Sequence, residues 1–331
     1  MTEFHYSLNQ RVKRAPVIKK LGMVSDGMEQ TPIVLNGELL LVESFVETGG
    51  NNNGKPCFRL RNPYTGKTTK TFAHGYYFAS GYTEGGTVYA FGTSARDDKP
   101  MTMYQSEDSD TWHDPRGGDE IRVCWSDNLD MWREKTALKI PGWRLWNTSV
   151  CKGPDRYVMA IEVSQTGDDI DPEIGRPFTE FFATSANLTD WELMPCECCY
   201  TKQRYNACPA LRFYDGWYYM ICLEALPVVR YAPYIYRTKN FIDWEVGFHN
   251  PIMMYNDEDR MIKPGAVYPF TEKQMDLLEN HLNINNSDVD FCEFEGKTHI
   301  FYATGDQMSY SFLGEAVYNG PADAFCKSFF E

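Results

Sequence analysis

Two glutamates close long apolar runs in this 331-residue chain. Glu162 follows Tyr157-Val158-Met159-Ala160-Ile161, and Glu224 follows Tyr218-Tyr219-Met220-Ile221-Cys222-Leu223. Apolar surroundings disfavour an ionised carboxylate and raise its pKa, which suits a general acid. A third carboxylate, Asp288, enters a predicted strand in Asn285-Asn286-Ser287-Asp288-Val289-Asp290. Charged side chains seldom enter a buried strand without a partner, so Asp288 and, with the same parity, Asp290 are candidates for a pocket. Structural roles compete with each of these. Asp288 can cap the strand entry, Asp290 can bond a neighbouring sheet, and the glutamates can pair with Arg144, Arg204 or Arg230.

Other chemistries find no support. There is no Gly-x-Gly-x-x-Gly after a strand, no P-loop, no Gly-x-Ser-x-Gly and no His-Glu-x-x-His. Cys196-Glu197-Cys198-Cys199, with Cys208 nearby, contains one CxxC spacing, but a zinc site needs a second matching pair. The sequence calls for no cofactor and no dedicated metal ligands, and it leaves open a divalent cation in a central pocket.

The elements that must position these groups are strands. A short motif recurs as Asn128-Leu129-Asp130-Met131-Trp132, Asn187-Leu188-Thr189-Asp190-Trp191 and Asn240-Phe241-Ile242-Asp243-Trp244. Each copy follows a strand, closes a turn with its Asn and starts the next strand at its Trp. Between the copies lie apolar hairpins turning at Asn36-Gly37, Gly85-Gly86, Gly153-Pro154-Asp155, Asp215-Gly216 and Glu295-Gly296. Five hairpins, each with an outer strand pair, predict an all-β fold: a single five-bladed β-propeller over residues 1–331. Residues 1–25 form an N-terminal arm, of which 15–21 are expected to complete the last sheet. One helix is predicted at 271–282, with a Thr271/Gln274 capping box. It lies in an insertion over 253–286, before the last blade, in which 256–260 are expected to be a solvated loop.

Composition agrees with this outline. Hydrophobic residues at 43% suffice for a core, and aromatics at 15% suit both sheets and sugar-stacking surfaces. A net charge of -14 argues against nucleic acid as a partner, because phosphates need a basic face. The apolar runs are too short and interrupted for a membrane span. The N-terminus lacks the apolar core of a signal peptide, and the ten cysteines then read as free thiols of a cytoplasmic protein. No oligomeric state follows, and a homo-oligomer is compatible.

The Asn-(Leu/Phe)-x-x-Trp copies and hairpins such as Cys208-Pro209-Ala210-Leu211-Arg212-Phe213-Tyr214-Asp215-Gly216-Trp217 resemble the five-bladed glycosidases of glycoside hydrolase families 32, 43, 117 and 130. That resemblance places functional groups at a central funnel. First strands would begin there, near Glu29, Phe78, Trp146, Cys208 and Asp288. Arg144, Asn206 and Asn286 lie just upstream. Second strands would end there, at Glu162 and Glu224, with Arg230, Asp306 and Gln307 beyond. Such enzymes use two or three carboxylates as acid, as base or nucleophile, and as a tuning group. The resemblance implies Asp288 as base or nucleophile, Glu224 or Glu162 as acid, Glu29 as a blade-one base, and His74 as a substitute proton donor. Trp146 would stack on sugar, and Asn147 would line the same mouth. Arg144, Arg204 and Arg230 would favour an anionic sugar. Two departures stand out. Ala207-Cys208-Pro209 replaces the expected Glu-Cys-Pro, and Trp146-Asn147-Thr148 replaces an Asp-Pro pair. The expected function is therefore hydrolysis of a short oligosaccharide. The alternatives are a carbohydrate-binding propeller without turnover, and a lyase or phosphorylase on the same scaffold.

Overall fold

Turn chemistry sets the hairpins. Asn36, Gly85, Asp215 and Glu295 have φ of 50, 59, 47 and 50°, and the glycine after each is also left-handed. Two left-handed residues in succession make the tight turn whose twist matches that of the flanking strands. The computed structural model describes residues 15–46, 55–96, 104–105, 112–113, 116–165, 178–201, 203–227, 230–306 and 310–331.

The described chain opens with β1 (Ile18–Asp26). The first antiparallel set is β2 (Thr31–Leu35), β3 (Glu38–Val46) and β4 (Pro56–Arg61). Bridges from Phe58 to Phe72 and from Arg61 to Thr68 continue it. Next come β5 (Tyr76–Glu84), β6 (Thr87–Ser94), the small pair β7 (Tyr104–Gln105) and β8 (Trp112–His113), β9 (Glu120–Ser126) and β10 (Arg133–Lys139). Their sheet order is β5-β6-β9-β10. The third set is β11 (Arg144–Lys152), β12 (Tyr157–Gln165), β13 (Thr179–Ser185) and β14 (Glu192–Leu193), with β15 (Cys199–Tyr200) also on β13. The fourth is β16 (Asn206–Tyr214), β17 (Trp217–Leu226), β18 (Arg230–Thr238) and β19 (Trp244–Val246). The last is β20 (Asn285–Phe294), β21 (Lys297–Gly305) and β22 (Ser311–Tyr318), and a single parallel bridge, Tyr231↔Asn285, joins it to β18 so that the fourth and last sets run on as one sheet. β1 lies along β22, antiparallel from Ile18↔Tyr318 to Asp26↔Phe312.

Apolar faces join consecutive sets. Ile33, Val42 and Phe58 pack with Ala79, Val88 and Ala90. Phe91 and Ile121 meet Leu145, Met159 and Phe181. Val158 and Phe182 meet Leu211, Met220 and Tyr236. Ile221 and Ile235 meet Val289, Phe291 and Ile300. Phe301 and Leu313 meet Leu39 and Leu41, so the last set packs on the first. Burial on both faces explains why β17 reads as an unbroken apolar run rather than an alternating one. The first strands of the hairpins neighbour one another in the cyclic order β2, β5, β11, β16, β20 and back to β2.

The recurring Asn motif is a side-chain-built turn. Ser185 Oγ accepts from the N–H of Asn187 and of Leu188, and Asn187 Oδ1 accepts from Thr189 and Asp190. Ser126/Asn128 and Thr238/Asn240 repeat the pattern. Leu129, Leu188 and Phe241 are left-handed, with φ of 61, 67 and 62°.

Helix α1 (Glu272–Asn280) carries the expected capping box at Thr271 and Gln274. Its apolar side is less buried than the pattern suggests, since Leu278 is buried while Met275 and Leu282 are exposed. The stretch read as a solvated loop is instead a short 3-10 turn, Asp257–Arg260, with Asp259 buried. A compensating cation accounts for the difference: Lys20 of β1 donates to Asp259 at 2.7 Å and is itself buried. A second helix, α2 (Ala322–Lys327), is too short for periodicity to reveal and seals the core with Phe325 and Cys326. None of the ten cysteines is in a disulfide. Among the described residues no helix is long and apolar enough to cross a membrane.

Candidate functional site

Four first strands begin with the same unusual backbone. Glu29, Phe78, Cys208 and Asp288 have φ of 58, 59, 54 and 50°. Pairing slips beside the last three, between Tyr77 and Ser80, Ala207 and Ala210, and Ser287 and Asp290. Left-handed non-glycine residues cost about 1–3 kcal/mol each and persist where the surrounding structure over-determines them. The slip at the corresponding place in β11 falls between Leu145 and Thr148, and there Asn147 turns toward the other strand starts. Because the first strands neighbour one another in a cycle, Glu29, Asn147, Cys208 and Asp288 converge on one pocket, which Phe78 does not line. It encloses about 320 Å³ including its open mouth, with Glu29, Asn147, Cys208, Pro209 and Asp288 among its lining.

Glu29, Cys208 and Asp288 bring one donor atom each to within 4.8 Å of one another. The Cys208 thiol donates to Asp288 Oδ1 at 2.6 Å, and the Ser287 hydroxyl donates to Asp288 Oδ2. Asn147 Nδ2 contacts Glu29 Oε1 at 3.3 Å, Glu162 Oε2 at 3.0 Å and Cys208 Sγ at 3.3 Å. The backbone N–H of Cys208 donates to Glu162 Oε2 at 2.7 Å.

Burial dominates the electrostatics. It pushes Glu29 up to about 8, reinforced by the nearby Asp288 charge and opposed by Arg116 and Asn147. It pushes Glu162 up to about 7 against the Cys208 and Asn147 hydrogen bonds. Asp288 is also raised by burial, but hydrogen bonds from Cys208 and Ser287 favour its ionised form. Cys208 is held well above the usual thiol range by burial and the surrounding acids. The thiol and hydroxyl donors to Asp288 join Glu29, Cys208 and Asp288 in a hydrogen-bonded acid–thiol cluster.

No family model matches the chain, and no curated protein matches it. Solved structures do. One described simply as a glycoside hydrolase aligns with a TM-score of 0.57 at 10% identity, over 97% of this chain and 96% of that one. The α-L-arabinofuranosidase PaAbf62A from Podospora anserina, in complex with cellotriose, aligns at 0.57 and 7% identity, over 94% and 99%. The GH43 protein BlXynB from Bacillus licheniformis aligns at 0.54 and 14% identity, over 91% of this chain and 56% of that one. The chain has the fold of the propeller glycoside hydrolases.

Within this propeller fold, the candidates separate. Glu29, Asp288 and Asn147 line the pocket, and Glu162 stands behind Asn147 and Cys208. Glu224, expected to match Glu162, does not join them. It accepts from the Tyr236 hydroxyl and pairs with Arg204 at 3.2 Å. Asp290 borders the pocket but is paired with Arg212 at 2.5 Å. Asn286 is fully buried between Lys20 and Asp259, and Asn206 is buried against the carbonyls of Thr201 and Arg204. The three arginines do not form one cluster. Arg144 bonds the Arg116 carbonyl, Arg204 bonds Tyr200 and Glu224, and Arg230 bonds Tyr255. His74 is exposed on the turn before β5. Asp306 accepts from the Tyr310 N–H. Gln307 lies outside the described residues.

Trp146 is 9% exposed, which leaves little face for a sugar. It sits in a row of rings with neighbours 5.3–5.4 Å apart: Phe78, Trp146, Phe178 and Tyr205. Its Nε1 donates to Ser164.

Arg116 is a neighbour of the pocket wall that sequence reasoning missed. Its guanidinium lies 5.5 Å from the Phe78 ring and 5.7 Å from the Trp146 ring, near Glu29. The signal in the sequence was Gly117-Gly118. A Cβ on Gly117 would meet the Trp146 ring at 2.8 Å, and one on Gly118 would meet Ser94 Oγ at 2.2 Å. Such glycines mark a chain passing tightly over a wall.

Proposed function

We propose that this protein is a five-bladed propeller glycoside hydrolase that cleaves a short oligosaccharide, with Asp288 as nucleophile and Glu29 as acid and then base. The cyclic order of first strands and the packing of the last sheet on the first support five blades around one funnel. The observation that carries the chemistry is the approach of the Glu29 and Asp288 carboxylates to within 4.8 Å, in unlike environments. Burial raises both carboxyls, but Asp288 receives a thiol and a hydroxyl donor that favour its ionised form, while Glu29 is pushed up to about 8. Environments that push two carboxyls apart assign the acid and the base.

In this scheme an Asp288 oxygen attacks the anomeric carbon as the glycosidic C–O bond breaks. The leaving oxygen takes the Glu29 proton. Glu29, now ionised, takes a proton from water, whose oxygen displaces Asp288 and restores both groups. A retaining route uses carboxyl groups about 5–5.5 Å apart and an inverting one about 6.5–9.5 Å; one oxygen of Glu29 within 4.8 Å of one of Asp288 is compatible with the former.

The test is a panel of glycosides with good and poor leaving groups. E29Q should still cleave activated aryl glycosides while losing unactivated oligosaccharides, and D288N should lose both. Wild-type rates in both variants overturn the assignment. A binding propeller without turnover is the second reading, favoured by Asn147 and Ala207 at two positions where carboxylates were expected. It predicts sugar binding by calorimetry with no cleavage of any panel member.

A further inference from the structure

Cys208 meets three neighbours in the pocket in three different ways. Its thiol donates to Asp288 Oδ1 at 2.6 Å. Its sulfur accepts from Asn147 Nδ2 at 3.3 Å. Its backbone N–H donates to Glu162 Oε2 at 2.7 Å. The left-handed φ of 54° lets the backbone N–H and the side chain serve two carboxylates in two blades, Glu162 on β12 and Asp288 on β20. Pro209 follows, so no N–H is available next along the chain to replace this donor.

We propose that Cys208 is a positioning residue: its thiol fixes the Asp288 carboxylate in the orientation and ionised form that attack on a sugar requires, while its backbone anchors Glu162. The thiol does this as a donor, not as a nucleophile. Burial and the surrounding acids keep it protonated, which excludes it as a thiolate attacking group. The groups facing Asp288 are Cys208 and Tyr205 at the start of β16, Glu29 ahead of β2 with Arg116 beyond it, Glu162 on β12, and the Ser287 hydroxyl on its own strand. Of these, Cys208 and Ser287 donate hydrogen bonds to the carboxylate.

This inference rests on the glycosidase reading, and two substitutions separate the thiol from the backbone. C208A removes the donor but keeps a Cβ in a left-handed conformation. C208G removes the donor and the strain together while retaining the N–H to Glu162. C208S keeps a donor. With folding checked by circular dichroism, C208A and C208G should both lower kcat by about tenfold or more with KM changed by less than about threefold. C208S should restore most of kcat. Restoration by C208G overturns the role of the thiol and assigns the C208A loss to backbone strain.

A second readout does not need turnover. With 13C-carboxyl aspartate, and the Asp288 signal assigned through D288N, the titration midpoint of Asp288 should move up by about one pH unit in C208A and C208G and stay near the wild type in C208S. An unmoved midpoint overturns the proposal. A moved midpoint in a protein that cleaves no glycoside upholds the contact and overturns the enzymatic reading alone.

Discussion

Glu162 and Glu180 stand directly opposite each other in the β12–β13 pairing, both buried. Neither Glu180 oxygen has a hydrogen-bond partner among the described residues. Burial holds Glu180 well above its ordinary value of 4.5, and the Glu162 charge adds to this. Like charges opposite one another across a strand pair destabilise, and two such carboxyls do not ionise together.

Stability should therefore fall as pH rises. Between the unfolded value of 4.5 and the folded value of about 7 for Glu162 and about 8 for Glu29, the folded chain binds more protons than the unfolded one. Unfolding free energy then decreases with pH across that window. E180Q, which cannot ionise, should raise the melting temperature at pH 8 and leave it nearly unchanged at pH 4.5. A variant that melts like the wild type at both pH values contradicts the pairing.

Activity should follow a bell whose alkaline limb lies near 8, where Glu29 loses its proton. E29Q removes a group worth about 10²–10⁴-fold in rate on substrates that need protonation of the leaving group. The same substitution should flatten the alkaline limb on activated aryl glycosides. The kcat/KM profile measures both, and a limb that persists in E29Q would assign it to another group.

The Lys20–Asp259 pair is buried on both sides, with the ammonium also held by Asn286 and the Met254 carbonyl at 2.7 Å each. Removing one partner leaves an uncompensated buried charge and should cost about 3–5 kcal/mol. K20M and D259L alone should show this loss in urea unfolding, while the double variant should recover part of it. Equal loss in single and double variants would contradict the pairing argument.

The Asn turns should be worth less each. N187A leaves the N–H groups of Thr189 and Asp190 without their acceptor and should cost about 1–2 kcal/mol. N187D keeps an acceptor oxygen but loses the donation to Asp190 Oδ2 and sets two carboxylates together, so it should recover only part of that loss. Chemical denaturation compares the two.

Local chemistry explains what was legible in the sequence. Hairpin turns and Asn motifs are decided within a few residues, and the register they set placed Glu29, Phe78, Trp146, Cys208 and Asp288 at strand starts. Glu162 and Glu224 look alike along the chain. They differ only through partners far away in sequence, since Asn147 and Cys208 reach one and Tyr236 and Arg204 reach the other. Asn286 and Asn206 were placed near the funnel by strand position, but their partners turn them into internal struts. Asp259 was hidden because its cation comes from β1, 239 residues away. Arg116 sits in irregular chain, where no period can point to it.

The shared left-handed residue at the head of four first strands has a consequence for the character of the pocket. An acid, an aromatic ring, a thiol and a second acid occupy the same backbone shape at Glu29, Phe78, Cys208 and Asp288. Side chains of different chemistry therefore share one φ at these four positions. The backbone at these strand starts thus presents side chains of unlike chemistry, and the character of the pocket is decided by which residue stands there rather than by a change of strand geometry.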